Sequence, residues 1–542
     1  MKRRNFVRSL LGGVLYPMLG CESQSTRLDQ VSFVHGVASG DPMTDRVILW
    51  TRVSGLAGES VEVRWRTAAD RNMRIVLQQG AFRTGPHRDY TVKVDAKGLQ
   101  PGREIYYQFE VGDRLSPVGR TRTLPTDSPE TASFAVVSCA NHPYGYFHVY
   151  RDIAHRDNLA AVIHLGDYIY EYGVGEYATE RAEELGRLPQ PRGRLLRLED
   201  YRTRHAQYKS DADSQAMHAA HPLIAVWDDH EIANDAWHEG AENHRQDDGG
   251  WDDRRDAAIQ AWLEWMPVRV AHNAASTRIF RRYRYGDLLS LIMLDTRMHG
   301  RDRQPDARAQ ATKESIDRDM RDSKRRMLGA SQESWLQRTL RHAQGTLWQI
   351  IGQQVMVSPT RSPELEPLLD LERESLLPAE QLAGLIEQSE GNPPMLLDTW
   401  NGYPEAREDF LKDLRDYADN PVVLSGDLHT SLAGNLIPDG GSEAVAVEFM
   451  APSVTSPGFA EYLPEVRPGA VRDATLELNP ALQYMETDRR GWLLLNIDRT
   501  LCSGEWHLVD TVHEQNYIVS VDARWSVTAG KISEGLQPSD SS

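Results

Sequence analysis

Cysteine is scarce. Only Cys21, Cys139 and Cys502 occur in 542 residues, so no disulfide framework can organise the fold. Positive charge is also short: 61 Lys and Arg stand against 79 Asp and Glu, a formal net charge of -18. That balance excludes nucleic acid as the main partner, because phosphate-backbone contacts need clustered cations. It also repels a phosphorylated ligand at long range, so a phosphate site must carry its own positive charge, as bound metal ions do. No apolar run of about 18 residues follows Cys21, which excludes a downstream transmembrane helix. No internal repeat is present.

The first residues, MKRRNFVRSLLGGVLYPMLGC, combine a basic start, a short apolar core and a small residue before Cys21. They read as a targeting peptide, with residues 1–30 outside the fold. Arg3 and Arg4 resemble the twin-arginine export motif, and Met18 to Cys21 resemble a lipoprotein cleavage box. Export to the periplasm or the exterior is expected, with Cys21 as the candidate lipid anchor.

From residue 31 to 125 the pattern has period two. Val61, Val63 and Trp65 alternate with charged residues, as do Ile105, Tyr107, Phe109 and Val111 with polar or mixed ones. This predicts an all-β sandwich of immunoglobulin or fibronectin III type. After a Pro-rich linker, residues 130–512 read as an α/β domain. Apolar runs at Phe134–Val137, Ala161–Leu165, Leu223–Trp227 and Val422–Leu424 predict buried strands, and helical spacing recurs at Ala257–Trp265 and Phe410–Ala418. Residues 513–542 read as a partly flexible end, frayed from about Lys531.

Each of those runs ends in candidate metal ligands: Ser138-Cys139, Gly166-Asp167 with Tyr170, Asp228-Asp229-His230 and Gly426-Asp427 with His429. In open α/β sheets, ligands bind beyond the carboxyl ends of the strands, so the four groups should converge. Two cations held there would neutralise a phosphoryl group and acidify a bound water. Gly166 and Gly426 would let the backbone turn sharply into the site.

The segments GDYIYEYG, WDDHEIAND, LDTR, DTWNGY, SGDLH and EFMAPSVTSPG, in that order, resemble the PhoD-like alkaline phosphatases, within the calcineurin-like metallophosphoesterases. HGVASGDP and VILWTRV resemble that family's N-terminal sandwich. The resemblance implies a metallophosphoesterase sandwich in which a metal-bound hydroxide attacks a small-molecule or lipid phosphate ester. It implies Fe3+ on Cys139, Asp167, Tyr170 and His429, Ca2+ near Asp229 and Asp427, with Asp167 bridging. His230 would stabilise the transition state or protonate the leaving group.

Other readings stay open at this point. Asp228 could replace Asp229 as the ligand, Tyr170 could be a packed aromatic, and Cys139 could pair with Cys502. Arg297 could meet phosphate or serve as a structural ion pair. Asn401 stands where the family usually has Asp, which puts the second metal's shell in question. His218, His221, His238 and His244 fit no zinc spacing and read as surface or loop residues. The rival activities are a phosphodiesterase or phospholipase D-type hydrolase, and, from another class, a surface binding protein with a vestigial metal site.

Overall fold

The computed structural model describes residues 30–56, 58–269, 278–305, 313–370 and 379–539. Arg3, Arg4 and Cys21 lie outside them.

Three sheets make up the molecule. The first has ten strands, in the order Gln537–Pro538, Val519–Thr528, Leu501–Val509, Arg490–Asp498, Thr131–Val137, Ala161–His164, Pro222–Ala225, Val37–Gly40, Arg46–Arg52, Thr91–Lys97. Its middle, from Thr131–Val137 to Val37–Gly40, is parallel, and both flanks are antiparallel. The second has seven strands, Arg281–Tyr285, Leu289–Met293, Trp348–Gly352, Pro421–Ser425, Ala446–Met450, Ser431–Leu436 and Leu482–Glu486. Its middle is parallel from Leu289–Met293 to Ala446–Met450.

The two sheets face each other. Val136, Ile163, Leu291, Val422, Leu424 and Phe449 share one buried core, which is why these short strands are apolar along their whole length. Helices cover the outer faces. Pro404–Tyr417 and Gly329–Ala343 pack Phe410, Leu414, Leu336 and Leu340 onto the back of the second sheet. Leu198–Ser210 and Trp251–Trp265 bring Tyr201, Tyr208, Ala258 and Trp262 against the first.

The third sheet has five strands and belongs to the N-terminal part: Val76–Thr84, Val61–Ala68, Glu104–Val111 and Arg114–Leu115, with Gly119–Arg122 paired to Glu104–Val111. Val63, Ile105, Tyr107 and Phe109 from this sheet meet Val37, Val47, Leu49, Val92 and Val94 in a separate core. The N-terminal part is therefore two-layered, and one layer is the edge of the ten-stranded sheet. Hydrogen bonding crosses the boundary expected near residue 125: Ser39 and Gly40 pair with Pro222 and Leu223. Gly40 fits there because an added Cβ would lie 2.4 Å from the Pro267 carbonyl oxygen.

Much of the segment expected to be partly flexible is built into the fold. Val519–Thr528 is a full strand of the large sheet, and Ile532 and Leu536 are buried in the main core. Apolar side chains at those two positions dock the end despite its polar composition. Among the described residues, no helix is long and apolar enough to cross a membrane.

Candidate metal centre

Beyond the carboxyl ends of the parallel strands, the predicted ligands converge. Cys139, Asp167 and His429 form one group with donor atoms within 4.8 Å of one another; Asp167, Asp229 and His230 form a second, and Asp228, Asp229 and Asp427 a third. Tyr170 completes the first group, its hydroxyl 3.1 Å from Asp167 Oδ2 and 3.2 Å from His429 Nε2. All seven predicted site residues therefore meet, and Asp228 joins them.

The local backbone is unusual where it matters. Cys139, Asp167, Asp427 and His429 all have positive φ, from 55° to 67°. Side chains tolerate that region poorly, and such residues gather at functional sites. Gly166, at φ 117°, lies so close to the neighbouring loop that an added Cβ would sit 2.3 Å from Asp228 Cβ. At Gly426 the same atom would meet Ser138 Cβ at 2.7 Å. The glycines let the four loops close on one point.

Buried polar side chains hold those loops. Glu231 accepts from the backbone N–H groups of Asp167 (2.9 Å), Tyr168 (2.5 Å) and Asp228 (2.8 Å). Arg204, from the helix Leu198–Ser210, donates to the carbonyls of Tyr170, Tyr172, Gln190 and Pro191 and so fixes the stretch carrying Tyr170. Ser456, in the APSVTSPG segment, lies 2.7 Å from the Tyr170 hydroxyl and donates to the Cys139 carbonyl at 3.0 Å.

Ring nitrogens are oriented in the same way. His429 Nδ1 is bonded to the Pro457 carbonyl at 2.8 Å, so it carries the proton and leaves Nε2 as a lone pair towards Tyr170. Burial lowers its pKa to about 3, so the ring is neutral. His230 Nδ1 lies 2.8 Å from Glu171 Oε2. Burial opposes its charge, yet Asp229, Asp167 and Glu171 outweigh that and hold its pKa well above the ordinary histidine value.

The donor set calls for cations. Burial, then the Asp167 charge, pushes the Cys139 thiol and the Tyr170 phenol well above their ordinary pKa values. Burial, eased by His230 but reinforced by Asp229, Asp228 and Glu231, does the same to Asp167. Asp229 Oδ1 is buried without a hydrogen-bond partner, while Asp235 N–H holds Oδ2 at 2.6 Å. Thiol, phenol, imidazole and carboxylates crowded in this way, with one oxygen left unbonded, fit bound metal ions.

Arg297 supplies the local positive charge. It is fully buried, pairs with Asp228, and reaches Asp398 at 2.6 Å, Asp427 at 3.0 Å and Asp229 at 3.6 Å. Of its two predicted roles, the structural ion pair is the one seen. Burial opposes ionisation of Asp229, but Arg297 and His230 overcome it and bring the pKa to about 2.

Several residues of the site were not singled out in the sequence: Asp398, Glu231, Glu171, Asp235 and Ser456. All five lie within segments quoted for the resemblance, so position relative to the ligands was an available signal; Asp398 sits in DTWNGY itself. The neighbouring Asn401 does not reach the ligands. Its Oδ1 accepts from Thr360 N at 3.2 Å and its Nδ2 donates to the Met395 carbonyl at 2.6 Å, so it stabilises a loop.

One further expectation is corrected. His218 and His221 are buried, with His218 bonded to Tyr168 and Lys209 and His221 to the Ile153 carbonyl. Polar partners from the loop at Tyr168, from Lys209 and from the helix His148–Ala154 make burial tolerable, which local spacing could not reveal. Cys139 and Cys502 are both free, so no disulfide joins them.

A family model described as PhoD-like phosphatase matches residues 134–506, and its N-terminal-domain counterpart matches 20–125. Alkaline phosphatase D of Bacillus subtilis (strain 168) is 32% identical over 506 residues, covering 91% of this chain and 80% of that protein. The solved structure of PhoD is 31% identical, with a TM-score of 0.81 over 94% of this chain and 92% of that one.

Proposed function

This chain belongs to the PhoD-like phosphatase family and is a phosphatase, and from that premise we propose that it hydrolyses phosphomonoesters, with diesters as a second class, using ferric iron and calcium. The supporting observation is the sharing of Asp167: the same carboxylate belongs to the group with Cys139 and His429 and to the group with Asp229 and His230. A pair of cations roughly 3.5–4 Å apart needs a carboxylate in common. Cys139, Asp167, Tyr170 and His429 would hold iron, and the all-oxygen set of Asp229, Asp427 and Asp167 suits calcium. When bound, the cations would neutralise phosphoryl charge and acidify a water.

The chain's own residues supply the rest. His230, fixed through Nδ1 by Glu171, would present Nε2 to the departing oxygen, a role worth about 10²–10⁴ in rate. Arg297 keeps Asp228, Asp398 and Asp427 together despite their like charge. Asp167→Asn should lower turnover by several orders of magnitude, because an amide cannot hold two cations together. Retention of more than about a tenth of the wild-type rate, with metal content intact, would overturn the assignment.

Export is the second part of this reading. It rests on Arg3, Arg4 and the apolar run after them. Replacing both arginines by lysine should leave folded precursor in the cytoplasm; arrival in the envelope at the wild-type level would refute it. Anchoring through Cys21 is tested by whether Cys21→Ala moves the mature protein out of the membrane fraction.

A further inference from the structure

A cluster of rings lies between the ligand group and solvent. Tyr170 is buried, and the His230 ring lies over it with centroids 4.3 Å apart and planes at 29°. Tyr177 stacks beside both, 5.9 Å from Tyr170 at 28° and 6.3 Å from His230 at 4°. Tyr462 stands another 6.3 Å out at 11°, and is 44% exposed. Tyr172 packs at a tilt into the same group, 5.2 Å from Tyr177 and 5.5 Å from His230.

The outer two rings come from distant segments. Tyr177 sits in the loop after Tyr172, and Tyr462 ends the short helix Phe459–Tyr462. Their hydroxyls are 2.5 Å apart. One hydroxyl donates to the other, and the rings beside them offer a ligand aromatic surface. Glu461 seats the short helix by accepting from Gly458 N–H at 2.9 Å and pairing with Arg490 at 2.6 Å. Arg490 is therefore committed and is not free to meet a second phosphate.

His230 can reach a departing oxygen only through Nε2, because Nδ1 is held by Glu171. We propose that the substituent on that oxygen extends away from the cluster alongside Tyr177 and Tyr462, that these two tyrosines form the leaving-group subsite, and that it favours esters with a flat aromatic leaving group over short polyols. This rests on the phosphatase reading above. The physical basis is the preference of aromatic faces for offset stacking on other aromatic faces, beyond plain burial.

The test compares phenyl phosphate with glycerol 2-phosphate on the metal-loaded enzyme. Phenolate leaves more readily than an alkoxide, so the change in preference on mutation is the informative quantity. Tyr177→Ala and Tyr462→Ala should each lower the phenyl-to-glyceryl ratio of kcat/KM by about three- to tenfold, through KM. Tyr177→Phe, which keeps the ring, should retain the ratio. Equal loss on both esters would mean a merely structural role and would overturn the subsite. Calorimetry with phenylphosphonate and methylphosphonate reports on the subsite without turnover: the phenyl compound should bind more tightly to wild type and lose that advantage in Tyr462→Ala. Equal binding of the two phosphonates by wild type refutes the subsite, whereas wild type inactive on every ester refutes the phosphatase reading.

Discussion

Cys139 and Tyr170 are the least ordinary members of the cluster, since under the proposed metal binding both would have to lose a proton that their surroundings hold tightly. Burial and the Asp167 charge favour the neutral thiol and phenol, so only a strongly attracting cation can draw out both anions. Ferric iron bound by thiolate and phenolate absorbs visible light by charge transfer, whereas zinc, with a filled d shell, does not. The purified enzyme is therefore expected to be coloured. Tyr170→Phe and Cys139→Ser should each shift or weaken the band and reduce iron content, while Cys502→Ser, buried away in the strand Leu501–Val509, should do neither. A colourless, fully active enzyme indifferent to both substitutions would remove iron and leave the phosphatase assignment standing. At this scale, residue type and strand-end position made the ligands legible. The supporting residues were not, because Glu231 and Asp398 look like ordinary surface acids until their partners, Asp167 N–H and Arg297, are brought to them.

Loops, more than strands, decide whether the site exists. The strands Ala161–His164 and Pro222–Ala225 are neighbours, and their following loops pass within contact at Gly166 and Asp228. Gly166→Ala would add a Cβ 2.3 Å from Asp228 Cβ in a backbone already at φ 117°. The expected cost is about 2–5 kcal/mol from strain and overpacking, with turnover lowered at least about tenfold as Asp228 and Asp229 are displaced. Urea midpoints and kcat/KM measured together check this; a variant with wild-type values in both would show that the loop yields freely. The elements themselves were readable. The runs at Phe134–Val137, Ala161–Leu165, Leu223–Trp227 and Val422–Leu424 all coincide with strands, within a residue or two at most ends. Much of the second sheet escaped notice: Leu289–Met293 was not read as a strand although Asp295 and Arg297 follow it, and Trp348–Gly352 ends without a ligand type at its tip.

Across the whole molecule, the N-terminal part and the catalytic body behave as one hydrogen-bonded unit. Asp41, next to the shared strand, accepts from Arg281, from the Tyr283 hydroxyl and from Arg269 N–H, and so ties the first sheet to the edge of the second. Under the same region lie histidines kept neutral by burial: His35, His164 and His205 are each lowered from 6.5 to about 3, with Lys209 and nearby Arg adding to the effect. In the unfolded chain they bind protons below pH 6.5, and in the folded one they do not until about pH 3. Stability should therefore fall as pH drops from 6.5 towards 3, by about 1.4 kcal/mol per pH unit for each such histidine once well below its unfolded pKa. Urea midpoints at pH 7, 6, 5 and 4 should show the decline, and His205→Phe, which keeps a ring beside Tyr168 and Trp265, should make it shallower. A flat profile would mean these histidines are reached by solvent.

The sequence by itself determined the chemistry and the order of parts. Ligand types at strand ends, period-two and fully apolar runs, and an acid surplus that needs local cations are all local properties, and local patterns survive in a linear reading. The tertiary structure alone decided what depends on contacts between distant positions. It made one layer of the N-terminal part the edge of the catalytic sheet, buried His218 and His221, and docked the polar end through Ile532 and Leu536. It turned Arg297 inward to four carboxylates and Asn401 to a loop. Each outcome depends on which partner arrives from far along the chain, and a buried charge or amide is stable only where such a partner meets it.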